Sequence, residues 1–213
     1  MGVVLPTKKK PSVCAVSDPA RFNEAYFARF YGDARTRVSD AKDADRLAAL
    51  VGGIVGYFGI TVRRVLDAGC GIGLLKAPLA EQFPRATYTG LEYSEYLCQR
   101  HGWIQGSVQD YVSQKPYDLV LCHDVLQYLD DRTATRAIAN LARLCQGALS
   151  LSLPTQRDWR TAADPDRSDQ NVYRRPADWY QTRLRRHFRH LGCGVHVPKA
   201  LRPISWELEQ PWL

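Results

Sequence analysis

With 213 residues, 45% hydrophobic and 24% charged, the chain has enough apolar mass for one well-buried core and the polarity of an ordinary soluble globular protein. Its formal net charge of +7 suits acidic partners such as nucleic acid or anionic surfaces, but many enzymes carry as much, so charge alone selects no function. The six cysteines, Cys14, Cys70, Cys98, Cys122, Cys145 and Cys193, form no C-x-x-C pair and mostly fall in apolar segments, which fits reduced, buried thiols better than a disulfide framework or a zinc site.

No apolar stretch approaches the length of a membrane span, the N-terminal charges follow their short apolar stretch in the reverse of secretory order, and Pro6 stands where a myristoylation motif wants Ser or Thr. A cytoplasmic protein without membrane attachment is expected. Residues 1–18, with Pro6, Pro11 and three successive lysines, read as a mobile tail. A single domain is expected over 19–213, with N-terminal helices over 19–58, a core over 62–154, and a lid-like insertion with a C-terminal part over 155–213.

The first helix of that domain takes Phe22, Tyr26 and Phe30 at helical spacing and stops at Gly32. A longer one starts from Ser39 as N-cap and carries Ala44, Leu47, Ala48, Val51, Ile54 and Phe58 on one stripe. Gly52, Gly53 and Gly56 leave it dependent on packing. From Arg64 the pattern alternates between strand and helix. "RVLDA" is a strand, the glycines after it a turn, and "LLKAPLAEQF" a helix in which Pro78 sits either in the first turn or at a kink. "ATYTGLE" is a strand, Ser94 caps the helix "EYLCQRH", and Gly102 ends it. "WIQGS" and "YDLVLC" are strands. A helix opened by Asp131 carries Ala137, Ile138, Leu141, Leu144 and Cys145 and is closed by Gly147, and "ALSLSL" is a further strand. This alternation predicts an α/β fold with a mostly parallel sheet and helices on both faces.

Beyond Pro154 the rhythm breaks. "TQRDWRTAADPDRSDQNVYRR" is polar, turn-rich and too long for an ordinary connection. A helix from about Pro176 aligns Tyr180, Leu184, His187, Phe188 and Leu191 before Gly192. "GVHV" and "ISWELEQ" read as two short antiparallel strands.

The motif with most chemical content is "VLDAGCGIG". Gly69, Gly71 and Gly73 give G-x-G-x-G, and Leu74 stands where a dinucleotide-binding turn would have its third glycine. Asp67 precedes the turn, where its charge opposes a pyrophosphate and suits a ligand with a cationic amine. These residues resemble the first motif of the class I S-adenosylmethionine-dependent methyltransferases. The resemblance implies a Rossmann-like, doubly wound, seven-stranded sheet, mostly parallel with one antiparallel strand near the C-terminus, and makes residues 62–154 the cofactor-binding part. It also implies that Asp67, Gly69, Cys70, Gly71 and Gly73 hold the methionine and adenosine portions of S-adenosyl-L-methionine, which leaves as S-adenosyl-L-homocysteine. Glu92, ending the second strand in "TGLEYS", becomes the acceptor of both ribose hydroxyls, with Tyr93 against the adenine.

"GSVQDY" is similar to the family's next motif, with Ser107 where members often carry an acid. The backbone around Val108 is then left to reach the ring, and Asp110 is a substitute acid or a cap. "YDLVLCHDVLQYLDD" is similar to the fourth motif, which places Cys122 and His123 beside the methionine part. The likeness runs from about Val65 to Pro154; the rest matches only in its order of elements.

For the chemistry, the resemblance implies in-line displacement at the sulfonium methyl, with no metal. His123 is the candidate general base, and Gln127 and Tyr128 the candidates for positioning the acceptor. Tyr26, Phe27 and Tyr31 are expected over the cofactor. Trp159, Tyr173, Trp179 and Tyr180 are expected to line a small-molecule acceptor, or else are plain packing. Nucleic acid is a possible but less favoured partner: "RLRRHFRH" puts Arg183, Arg185, Arg186 and Arg189 on the outer face of a helix, and "CHDV" lacks the Asn/Asp-Pro-Pro-aromatic sequence of many base-methylating enzymes. An RNA or protein methyltransferase, a non-catalytic cofactor-binding domain and a dinucleotide oxidoreductase stay as alternatives, the last opposed by Leu74. The oligomeric state is not readable.

Overall fold

A computed structural model of the chain describes residues 19–209, so the tail expected over 1–18, with Cys14, lies outside the described residues. Short helical turns at Pro19–Arg21, Glu24–Phe27 (α1) and Ala28–Gly32 lead into the long helix Ala41–Tyr57 (α2). Its N-cap is Asp40 rather than Ser39, because Asp40 and Asp43 each accept the other's backbone N–H in a reciprocal capping box. Ala44, Ala48, Val51 and Val55 form its buried stripe.

Seven strands follow: β1 (Arg64–Ala68), β2 (Thr87–Glu92), β3 (Ile104–Gln105), β4 (Tyr117–His123), β5 (Cys145–Ser152), β6 (Phe188–Gly192) and β7 (Val195–Pro198). They make one sheet in the order β3-β2-β1-β4-β5-β7-β6. The first five strands are parallel, and β7 runs antiparallel to both β5 and β6. One strand alone therefore opposes the others, as the expected fold requires. Helices α3 (Lys76–Gln82), α4 (Glu95–His101), α5 (Asp131–Leu144), α6 (Asp158–Thr161) and α7 (Ala177–Leu184) complete the chain. Pro78 lies in the first turn of α3, where its missing N–H has no helical partner to lose. Ser94 and Gly102 cap α4 as expected, Gly102 in the left-handed region at φ 71°.

The sheet is covered on both faces, and strand parity divides the two cores. Val65, Leu119 and Leu121 pack with Ala48, Val51 and Val55 of α2 and with Leu79 of α3. Leu66, Val120 and Cys122 point the other way, against Ile138 and Leu141 of α5 and Leu184 of α7. Among the described residues, no helix is long and apolar enough to cross a membrane.

Four local expectations are corrected. Gly147 does not close α5: the helix passes directly into β5 at Cys145, and Gly147 lies inside the strand. A Cβ there would fall 2.1 Å from the Asp118 carbonyl oxygen, at the irregular register between β4 and β5. Gly147→Ala is therefore expected to cost about 1–3 kcal/mol through overpacking, read as a lower denaturation midpoint; an unchanged midpoint would show that β4 moves aside freely.

The helix expected through Leu191 instead ends at Leu184, and Phe188 begins β6. The following Gly192-Cys193-Gly194 all have positive φ and form the hairpin turn to β7. The antiparallel partner is thus Val195–Pro198, while "ISWELEQ" is no strand: Ile204, Trp206 and Leu208 are exposed, and Glu207–Glu209 is a single helical turn. Finally, Cys193 in that hairpin turn is exposed, unlike the buried Cys70, Cys98, Cys122 and Cys145.

Candidate active site

Strand order reverses at β1, where β2 and β3 lie to one side and β4 and β5 to the other, and such a reversal opens a crevice at the carboxyl ends of the strands. A cavity of about 290 Å³ lies there. Its lining includes the glycine turn after β1, the end of β2, the segments after β3 and β4, and an aromatic cover from residues 22–31 with Trp159 and Asp169.

Glu92 organises its floor. One carboxylate oxygen, Oε2, accepts the Gly71 N–H at 2.8 Å, and Oε1 accepts those of Tyr93 (2.8 Å) and Ser94 (2.9 Å). The acid thus fastens the glycine turn to the start of α4. The Leu91 carbonyl accepts the N–H groups of Gly69 and Cys70, closing the turn from the other side. Close packing leaves no room for side chains here: a Cβ on Gly69 would meet Val125 Cγ2 at 2.2 Å, and one on Gly73 would meet the Trp103 indole at 2.7 Å. That indole donates to the Gly71 carbonyl at 3.0 Å. Trp103, read from the sequence only as the start of a strand, is therefore the platform beneath the turn.

Gly69, Gly71, Glu92, Tyr93, Ser107, Val108, His123, Gln127 and Tyr128 all line the cavity. Asp67, Cys70, Gly73 and Cys122 do not. Asp67 shares its face of β1 with Val65, so it points toward α3 and accepts the Tyr88 hydroxyl at 2.7 Å. Cys122 shares its face of β4 with Val120 and is wholly buried in the core. Cys70 is buried, and Gly73 is covered by Trp103. Asp110 turns outward to an ion pair with Arg136 and bonds the Ser107 hydroxyl, so it supplies no acid to the cavity.

Burial raises the Asp67 carboxyl to about 6, with the Tyr88 hydrogen bond opposing the shift and the charge of Glu92 adding to it. The native state then binds this proton more tightly than the unfolded chain. Asp67's contribution to stability is greatest below about pH 4 and declines as pH rises through 6. Asp67→Asn should remove that decline, gaining on the order of 2–3 kcal/mol over the parent at pH 8 and almost nothing at pH 4. Paired denaturation curves across that range test it, and a pH-independent difference would refute it.

His123 is also held in the protein interior, which lowers its pKa to about 4, and its Nε2 lies 2.9 Å from the Ser150 hydroxyl. The next residue, Asp124, carries a signal that motif reading missed. It adopts φ 55°, its N–H donates to the Ser152 carbonyl, and its side chain lines the cavity. Protein atoms crowd around it, and the surface left to it opens into the cavity. The Gln127 amide donates to it at 3.2 Å.

The cover is latched at two points. The Tyr26 and Tyr128 hydroxyls are 2.8 Å apart, and Arg21 pairs with Asp169 at 2.6 Å while also donating to the Asn171 carbonyl. Tyr26, Phe27, Tyr31 and Trp159 face the cavity as expected. Tyr173, Trp179 and Tyr180 do not: their rings surround the guanidinium of Arg175 at 4.6–5.9 Å. The basic run is broken up as well. Arg183 ends α7, stacks on Trp179 at 3.6 Å and donates to Thr135, Arg185 and Arg186 lie in the turn, and Arg189 is in β6.

Comparison with known proteins agrees with this geometry. Residues 22–196 match the family model described as a methyltransferase domain. Malonyl-[acyl-carrier protein] O-methyltransferase of Halalkalibacterium halodurans is 32% identical over 89 residues, covering 35% of this chain and 33% of that protein. Trans-aconitate 2-methyltransferase of Deinococcus radiodurans is 32% identical over 108 residues, covering 45% and 39%. The matched stretches thus span little more than a third of these relatives. Among solved structures, magnesium protoporphyrin IX methyltransferase from Synechocystis, with bound SAM, superposes with a TM-score of 0.56 at 22% identity, over 84% of this chain and 91% of that one. The N-methyltransferase NodS from Bradyrhizobium japonicum reaches 0.59 at 17% identity, over 80% and 88%. At such identities the structures speak for the fold, and the family model, matching most of the chain, for the lineage: this chain belongs to the methyltransferase-domain family.

Proposed function

We propose that the chain binds S-adenosyl-L-methionine across the glycine turn and Glu92 and transfers its methyl group to a small-molecule acceptor beneath the aromatic cover. The observation that carries this reading is the Glu92 carboxylate. It is fixed by three backbone N–H groups yet still faces the cavity, and the lone pair left on Oε2, which accepts one N–H where Oε1 accepts two, suits a ribose hydroxyl of the ligand. Backbone of the glycine turn would hold the amino-acid end, and Ser107 and Val108 the base. Asp67, turned toward Tyr88, would act there only through its field. The cofactor supplies a methyl group already activated on sulfur. The chain's part is to seat the acceptor and exclude water. Of the curated relatives' printed names, trans-aconitate 2-methyltransferase supports a small acceptor, and malonyl-[acyl-carrier protein] O-methyltransferase names a small acyl group carried on a protein. Dispersal of Arg183, Arg185, Arg186 and Arg189 removes the continuous basic helix on which an RNA or protein substrate would rest.

His123 is a weak general base in this setting, since its conjugate acid is far below neutrality and its Nε2 is engaged by Ser150. His123→Gln is expected to lower the transfer rate by less than about tenfold, well short of the effect of removing a true base. S-adenosylhomocysteine should raise the melting temperature, and labelled methyl transfer in a metabolite extract should yield a product heavier by one methylene. Absence of any stabilisation by S-adenosylhomocysteine would rule the reading out.

A further inference from the structure

The chain's charge is unevenly placed. Its formal net charge is +7, yet among the described residues neither lysine nor arginine lines the cavity, whereas Glu92, Asp124 and Asp169 do. Two of these acids have partners that account for them: Glu92 holds three backbone N–H groups, and Asp169 is paired with Arg21. Among the described residues the Asp124 side chain has only the Gln127 amide, and no cationic side chain offsets its charge. The groups that sense it are Tyr31 and Cys122, both raised by it in the same direction as by their own burial.

Gln127 sharpens the point. A carboxylate can only accept, so the amide must turn its NH2 to Asp124, and Oε1 is then left as the free acceptor. Gln127 is 4% exposed, and its Oε1 has no hydrogen-bond partner among the described residues. A free acceptor that deep in a wall of the cavity asks for a donor from the ligand. Asp124 makes a second demand. While the cavity is open, water can solvate it, but a bound acceptor displaces that water and leaves a carboxylate in a closed aromatic chamber. A phenol or alcohol would satisfy Gln127 Oε1 and leave the charge of Asp124 unmatched. A carboxylate would face three acids. An ammonium group satisfies both, and the rings of Tyr26 and Tyr31 offer it aromatic surface, those of Phe22 and Tyr128 being already engaged by the Arg21 guanidinium.

We propose that the acceptor is a primary or secondary amine, held as its ammonium between the Asp124 carboxylate and Gln127 Oε1, and that Asp124 takes the proton the nitrogen must lose. This rests on the methyltransferase reading and adds the acceptor atom to it. An ammonium N–H bond breaks, its proton passing to an Asp124 oxygen and its electron pair staying on nitrogen. That pair then forms the N–C bond to the methyl group as the C–S bond breaks, its electrons remaining on sulfur. The product leaves as the methylated ammonium, and Asp124 returns its proton to water.

The test incubates the full chain with methyl-labelled S-adenosylmethionine and a small-molecule extract, separates the products by charge, and compares the parent with Asp124→Asn. Asparagine tolerates the φ of 55° at this position, so the variant keeps the local backbone. The expected label is in an alkali-stable product retained on a cation exchanger. Asp124→Asn should slow its formation by at least about 100-fold, with S-adenosylhomocysteine affinity, measured by calorimetry, within about twofold of the parent. Label released by mild alkali as methanol, label in a neutral ether, or no transfer by a protein that still binds S-adenosylhomocysteine would each overturn the proposal. So would a loss of S-adenosylhomocysteine affinity matching the loss of rate, because Asp124 would then hold the donor's own ammonium. A parent protein that does not bind S-adenosylhomocysteine at all would instead bring down the methyltransferase reading beneath it.

Discussion

Glu92→Ala is expected to abolish the stabilisation by S-adenosylhomocysteine and to destabilise the ligand-free protein as well. The two losses have one cause. Oε2 of this carboxylate accepts one backbone N–H and Oε1 two, so the lone pair left toward the cavity is on Oε2. A hydrogen bond to a charged acceptor contributes about 1.5–3 kcal/mol, so losing one ribose contact corresponds to roughly 10-fold or more in affinity. The orphaned N–H groups of Gly71, Tyr93 and Ser94 add a cost of about 2–4 kcal/mol without ligand. Glu92→Gln separates size from chemistry. With its amide oxygen toward Tyr93 and Ser94, its NH2 would face the Gly71 N–H, donor against donor, so the glycine turn should open and binding be lost as in the alanine variant. Gly71 provides the complementary probe. Its φ is 53° and a Cβ would meet open space, so Gly71→Val is strained through its backbone alone, whereas Gly71→Asn should hold the turn. Calorimetric titration of all four variants decides the matter, and an unchanged affinity in Glu92→Ala would remove the ribose site from Glu92.

Much of this site is legible in the residues because strand and turn signals are local. The buried strands β1, β2, β4 and β5, the glycine turn, the acid ending β2, and the Ser94 and Gly102 caps all rest on neighbours within a few positions. What depends on partners far along the chain is not. Asp67 looks like a ligand by its place in the motif, but the face it takes follows from Val65 two residues earlier, whose burial against α2 sends both side chains away from the cavity. Strand parity was available in the sequence and would have found this. For Tyr180 to Leu191 the apolar spacing fits a helix as well as a helix followed by a strand. The choice is made by the hairpin, where Leu149 and Ser150 of β5 pair with His196 and Val195. Asp124 was hidden for another reason. Its role comes from a backbone conformation that no single residue type announces, although aspartate is among the few side chains that accept it.

Arg175 presents the other large expected effect, and its partner Asp131 shows why. The two form an ion pair at 2.7 Å, but the ends differ: the arginine side chain is 5% exposed and the aspartate 71%. Arg175 also donates to the carbonyls of Leu126 and Leu129 and to the Tyr180 hydroxyl, among the rings of Tyr173, Trp179 and Tyr180. Those two carbonyls bracket Gln127 and Tyr128, so one guanidinium clamps the turn that carries both residues to the cavity. Asp131→Ala removes a solvated partner and should cost less than about 1 kcal/mol. Arg175→Ala strips buried carbonyls of their donors and empties an aromatic cage, a loss of about 3–5 kcal/mol. Arg175→Lys keeps the charge without the planar fork and should fall between the two. Equal costs at Arg175 and Asp131, measured by urea denaturation, would mean that the ion pair and not the clamp supplies the stability. Because the cavity-lining segment that the clamp holds is the one after β4, Arg175→Lys should weaken acceptor turnover more than S-adenosylhomocysteine binding, whose proposed ribose contact at Glu92 is anchored on β2 and α4.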